Sequence, residues 1–209
     1  MRKNGLFITF EGIDGCGKTT QLNLLCDYLI SKGHDVLITR EPGGNHQLGK
    51  DIRNILLHTQ CEVDSKAEMF LFLADRAQHI NKFILPNLKA GKIVLCDRHT
   101  DSTLAYQGYG RGQNIEKIIF LNDIATNNIK PDLTFIYNID IDTSNLRVGK
   151  EKDRMENSGS IFLEKVRLGY LTIAKNNPER IKVINAVNSI ETVFEDTKKH
   201  IDNILKCKF

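Results

Sequence analysis

Five short runs of branched and aromatic apolar residues set the frame: LFITF (6–10), DVLITR (35–40), KIVLCD (92–97), LTFIYNID (133–140) and RIKVINA (180–186). Most show no polar alternation, so strands made from them have to be covered on both faces. Between the runs the period changes. Leu22, Leu25, Cys26 and Leu29 recur at helical spacing, with Lys32-Gly33 as a stop. Ile115, Ile118, Ile119 and Leu121 begin a second helix that ends before NNIKPD. Val166, Leu168, Tyr170 and Leu171 mark a third, and Val193, Ile201 and Leu205 the last. Helices placed between strands force crossovers, which are almost always right-handed and parallel. The chain is read as α/β, a parallel sheet with helices on both faces.

At 209 residues a single core buries roughly 70% of the unfolded surface and needs no staple. No repeat or linker divides the chain, so residues 1–209 are read as one domain. The exception to the apolar patterning is GKEKDRMENSGS (149–160), where Met155 is the one apolar residue. That segment is read as exposed and mobile, either a solvated surface loop or a lid. A net charge of +3 and 7% aromatic residues give a nucleic-acid partner little to bind. Cys16, Cys26, Cys61, Cys96 and Cys207 form no metal-type pair, which fits reduced thiols in a cytoplasmic protein. Glu11 cuts the first apolar run too early for a signal peptide, and nothing approaches the ~20 apolar residues of a membrane span.

Directly after the first run, residues 12–19 read G-I-D-G-C-G-K-T, a complete match to G-x-x-x-x-G-K-[ST] with a strand before it and a helix after it. Gly12, Ile13, Asp14, Gly15, Cys16 and Gly17 would let successive N–H groups face a phosphate, with Thr20 just beyond. The following helix adds its positive end. Lys18 would reach the β- and γ-phosphates, and Thr19 would offer a hydroxyl to Mg²⁺. Asp14 is out of place in a loop that holds anions, so its side chain should turn away, towards an acceptor molecule.

Asp97 closes the third apolar run, where such proteins keep the carboxylate that supports Mg²⁺. Ligands of parallel sheets sit outside the carboxyl ends of the strands, which brings Arg98, Arg40 and Glu41 beside the phosphate loop. Arg53 follows on a helix whose buried stripe is read as Ile52, Ile55 and Leu56. Any one arginine is more often a surface residue than a ligand. Their common position at strand ends favours phosphate binding. Periodicity alone puts Phe72 in the core of a helix over 66–83.

FEGIDGCGKTT, TREPGG, MFLFLADRAQH, DRHTDSTLAYQGYGRG, PDLTFIYNID, DRME and FLEKVRLGYL occur in this order, and together they resemble the bacterial thymidylate kinases over nearly the whole chain. The resemblance implies a P-loop kinase with a five-stranded parallel sheet, usually homodimeric, that transfers the γ-phosphoryl group of ATP to dTMP with Mg²⁺. It implies that Phe72 stacks on thymine, that Arg76 bonds its carbonyl edge, and that Ser102, Thr103 and Gln107 line the base pocket. Tyr106 would crowd the place of a ribose 2′-hydroxyl. Arg53 and Arg98 would hold the dTMP phosphate, with Glu41 and Asp14 near the sugar and metal. Cys16 stands where some relatives carry an arginine, so the positive charge on the transferring group should come from a lid at 149–160. Arg154, with Lys150 and Lys152, would supply it, and Arg147 would lie near the adenine or its phosphates.

Other nucleoside monophosphate kinases share the phosphate loop, the arginines and the lid. DRHTDSTLAYQG with Phe72 and Arg76 favours thymidylate. A GTPase switch needs Asn-Lys-x-Asp, and NIKPD (128–132) has the wrong spacing. Lys18, Asp97 and the arginines argue against a module that only binds nucleotide.

Overall fold

Every residue of the first apolar run is buried in β1 (Leu6–Glu11), the central strand of the sheet. The computed structural model describes residues 5–148, 154 and 159–208. β2 (Val36–Arg40), β3 (Ile93–Asp97), β4 (Leu133–Asn138) and β5 (Ile181–Asn185) complete an all-parallel sheet in the order β2-β3-β1-β4-β5. The register sets Arg40, Asp97 and Phe10 level, so three strands end side by side. Whatever leaves those ends enters one crevice.

The two sheet faces divide the side chains by period 2. Leu6, Ile8, Phe10 and Leu95 join the main core with Leu22, Leu25 and Leu29 of α1 (Lys18–Ser31) and Ile201 of α9 (Ile190–Lys208). Phe7, Val94 and Cys96 face the other way, onto Ile80, Ile84 and Leu88. Those last three extend α3 (Ser65–His79) through a π-helical turn (Ile80–Ile84) into α4 (Leu85–Lys89). α3 starts at Ser65 because Asp64 accepts from the N–H groups of Lys66 and Ala67. Among the described residues no helix is long and apolar enough to cross a membrane.

Local signals set several ends. α6 (Ile115–Thr126) stops where Asn127 and Asn128 take φ of 52° and 60°, a left-handed geometry that asparagine tolerates. β4 ends at Asn138, two residues short of the apolar pattern, because Asp140 caps α7 (Ile141–Arg147) through the Thr143 N–H at 2.8 Å. The stripe of α2 (Gln47–His58) needs a correction. Gly49, Ile52, Leu56 and Leu57 are its buried residues, and Ile55 is 46% exposed. At about 100° per residue these positions centre the inner face on the far side of Ile52 from Ile55. α5 (Thr100–Thr103) and α8 (Ser160–Asn176) complete the helices used below.

Candidate functional site

The phosphate loop spans the gap from β1 to α1. Gly12 has φ of 135°, and a Cβ there would lie 2.6 Å from the Tyr137 carbonyl oxygen and 2.8 Å from Cys16 Sγ, so no larger residue fits. Gly17 precedes α1 with φ of 90° and no side-chain cap, which leaves the first N–H groups of the helix available to an anion. Lys18 Nζ donates to the Gly12 and Ile13 carbonyls, each at 3.1 Å. Thr19 and Thr20 are exposed on the first turn. Cys16 is buried, and desolvation pushes its thiol up, so it contributes no charge. Asp97 lies at the end of β3 with Oδ1 buried and without a hydrogen-bond partner among the described residues. An orphaned carboxylate oxygen beside a phosphate loop fits a hydrated Mg²⁺.

Asp14 bridges the loop and the end of β3. Its Oδ1 accepts from Arg98 Nη2 at 2.6 Å and lies 3.7 Å from Lys18 Nζ. Burial works against ionisation, yet these two cations hold its carboxyl down at about 2. Arg98 has φ of 68°, unusual for a residue with a Cβ, and its N–H is anchored to the Phe10 carbonyl at 2.9 Å. Such a backbone costs about 1 kcal/mol or more and persists where the surroundings enforce it. Arg98 Nη1 meets the Tyr170 hydroxyl at 3.3 Å and Ser102 Oγ at 3.4 Å. Both hydroxyls donate to Glu11 Oε2, at 3.0 Å and 2.6 Å. Burial, then the charge of Asp101, pushes Glu11 up to about 7.

Glu11 and Tyr170 are absent from the sequence-derived site. Tyr170 reads as one more apolar position of α8. Glu11 carries a faint signal, a charge at the end of an otherwise apolar strand. The Arg98 guanidinium also lies 5.1 Å above the Tyr106 ring, and Tyr106 is 5% exposed.

Arg76 is 1% exposed and committed on several sides. Nε donates to Glu41 Oε2 at 2.8 Å, Nη1 to Thr103 Oγ1 at 2.8 Å and Asn122 Oδ1 at 2.7 Å, and Nη2 to the His99 carbonyl at 2.9 Å. Glu41 is equally engaged, since its Oε1 meets His79 Nδ1 at 2.9 Å and His99 Nδ1 at 3.1 Å. Burial opposes its charge, but Arg76 and His99 hold its carboxyl well below the usual range. Glu41 therefore acts first as the anchor of Arg76, a role the expected place near sugar and metal does not include. Tyr106 and Gln107 lie in a second π-helical segment (Leu104–Gly110), a backbone form that recurs at functional sites.

One cleft of about 800 Å³ gathers these groups. Asp14, Gly15, Cys16, Gly17, Lys18, Thr19, Thr20 and Asp97 line one part of it. Glu41, Arg53, Phe72, Arg76, Arg98, Ser102, Thr103, Tyr106 and Gln107 line another. Phe72 is half-buried: it packs on the main core and still lines the cleft, so the periodic reading captures only half of it. Arg53 donates to the Pro42 carbonyl at 2.9 Å. Arg147 donates to the Ala186 carbonyl at 3.0 Å and lines the cleft beside Asn188 and Ser189.

Arg154, expected to serve the transferring group from the lid, is bound in this structure to α3 and the end of α2. Its Nη2 donates to Glu68 Oε2 at 2.6 Å and its Nε to the Leu56 carbonyl at 2.8 Å. A buried carboxylate and an uncapped carbonyl near the end of α2 hold the guanidinium there. Lys150 and Lys152 lie outside the described residues.

The parallel sheet, the phosphate loop at its centre and the arginines at the strand ends define a P-loop kinase of the kind that acts on small nucleotides. A thymidylate kinase family model matches residues 10–197. The chain belongs to the thymidylate kinase family. It is similar to a thymidylate kinase of Exiguobacterium sibiricum, 43% identical over 205 residues that span 97% of this chain and 96% of the relative. A thymidylate kinase of Thermosipho africanus is 46% identical over 202 residues, 96% of this chain and all of the relative. Among solved structures, the crystal structure of thymidylate kinase from Ehrlichia chaffeensis superposes with a TM-score of 0.79 at 41% identity, covering 95% of this chain and 98% of that one.

Proposed function

We propose that this protein transfers the γ-phosphoryl group of ATP to dTMP, giving dTDP and ADP, and acts in the supply of dTTP. The supporting observation is the Arg98–Asp14 contact, which joins the phosphate loop to the arginine that faces the acceptor pocket. In this reading Lys18 and the loop N–H groups hold the β- and γ-phosphates, and Arg147 borders the adenine. Arg53 and Arg98 hold the dTMP phosphate, and Phe72 stacks on the base while Arg76 bonds its carbonyl edge. Ser102, Thr103 and Gln107 line the remainder, and Tyr106 crowds the 2′ position. Asp97 and Thr19 are the residues to hold Mg²⁺, which when bound neutralises charge between the phosphates. Phosphoryl transfer depends mainly on positioning and charge, so these residues align two phosphates and offset their repulsion. Arg154 serves the transferring group only on leaving Glu68.

The whole chain works as one P-loop domain in the cytoplasm, where Cys16, Cys26 and Cys96 stay as buried free thiols. A homodimer is supported by the outer faces of α3 and α6, which pack together and expose Phe70 at 55%, Phe120 at 65% and Ile124 at 59%. Sedimentation of the purified protein checks it, with two chains expected. The activity is checked by coupled ADP release with dTMP, dUMP, UMP, CMP and AMP as acceptors. dTMP should be strongly preferred, and an equal rate with UMP would remove the thymidylate reading.

A further inference from the structure

Glu68, on α3 and 1% exposed, has no part in the reaction described above beyond holding Arg154. Its carboxylate nevertheless joins three segments. Oε1 accepts from Gln107 Nε2 at 3.0 Å and lies 3.6 Å from Arg111 Nε, while Oε2 accepts from Arg154 Nη2 at 2.6 Å. An amide side chain has a donor end and an acceptor end of nearly equal size, so a base pocket that uses one must have its orientation imposed. A carboxylate only accepts. Gln107 can therefore present only its NH₂ end to Glu68.

We propose that Glu68 is a specificity-determining positioning residue: it fixes the Gln107 amide with NH₂ inward, so that the carbonyl oxygen serves the cleft and selects a base carrying a ring N–H. The inference rests on the thymidylate kinase reading. Arg76 supplies the complementary half. A guanidinium has five N–H donors, and four bonds go to Glu41, Thr103, Asn122 and the His99 carbonyl. Among the described residues one donor is left on Nη2, and it suits a ring carbonyl. A donor beside an acceptor matches the O4 and N3–H of thymine. Cytosine presents an amino group and a bare nitrogen at the same places, so both contacts would set like against like. Mismatched buried donors and acceptors discriminate far more strongly than a change of shape does.

The test measures inhibition constants of dCMP and dTMP on the full chain, for wild type and Glu68→Gln. The substituted amide offers a donor end as well as an acceptor end, so Gln107 is no longer held to one orientation. The dCMP-to-dTMP ratio is expected to narrow about tenfold or more, with the melting temperature recorded as a check of folding. Equal weakening of both ligands, with the ratio unchanged, overturns the proposal. Gln107→Ala should narrow the ratio by itself, and adding Glu68→Gln to it should narrow it no further. A further narrowing in the double variant means Glu68 acts through another group, and the proposal fails. If Glu68→Gln does not fold, Glu68→Asp draws the oxygen back by about 1.5 Å and carries the same test. A wild-type enzyme that phosphorylates dCMP as fast as dTMP would instead defeat the thymidylate reading, whatever Glu68 does.

Discussion

Arg98 donates to Asp14 across 2.6 Å, tying the end of β3 to the middle of the phosphate loop. With Lys18 Nζ 3.7 Å from the same oxygen, Asp14 stands between two cations. An acid in an anion-binding loop is therefore a spacer: it keeps Lys18 and Arg98 near each other and offsets their repulsion.

The pair should be visible in acid. The Asp14 carboxyl falls from 3.8 to about 2 on folding, so its contribution is complete above pH 4 and is lost as pH drops towards 2. Asp14→Asn is expected to lower stability by about 1–2 kcal/mol at pH 7, allowing for solvent screening at a partly exposed carboxylate. Urea unfolding of both proteins at pH 7 and near pH 2 checks this. The gap should close at the lower pH, and a constant gap would assign the loss to shape rather than charge.

Asp75 predicts the opposite slope. Burial, then the charge of Glu41, pushes it from 3.8 up to about 6, with Gly43 N–H at 3.3 Å and His46 Nε2 at 3.6 Å as its near partners. The folded chain thus binds the proton more tightly than the unfolded one. This favours the fold below pH 4 and is lost as pH rises through 6. Relative to wild type, Asp75→Asn should gain about 2–3 kcal/mol between pH 4 and pH 7. Melting curves across that range decide it, and a flat difference would mean that Asp75 is not protonated in the fold.

Arg76 should matter to the fold before it matters to the substrate. Arg76→Lys cannot reproduce a planar fork bonded to Glu41, Thr103, Asn122 and a carbonyl, and it leaves Glu41 poorly compensated. Lysine keeps the charge but cannot make most of these hydrogen bonds, and buried acceptors left unpaired cost about 1–3 kcal/mol. Denaturant unfolding should show that loss, together with a raised KM for dTMP. A raised KM at unchanged stability would make Arg76 a ligand and no more.

Much of the fold is legible in the chain because its signals are local. Each of the five apolar runs became a strand, and the turn after the first became the phosphate loop, since sterics within a few residues fix both. Asp97 and Arg98 followed from the same logic, because the end of a buried parallel strand can open only into the crevice. What no local pattern carries is the partner of each polar side chain. Tyr170 meets Glu11 from 159 positions away and Arg154 meets Glu68 from 86, and both pairings depend on how helices settle on the sheet. The same holds for Ile55, turned to the surface by the way α2 seats itself, and for Phe72, which shares its ring between core and cleft. The sequence by itself determined the sheet, the phosphate loop and the strand-end charges. Only the tertiary structure decided which charges face the cleft and which hold one another, because a buried ion takes its role from neighbours that folding, and not chain order, brings within 3 Å.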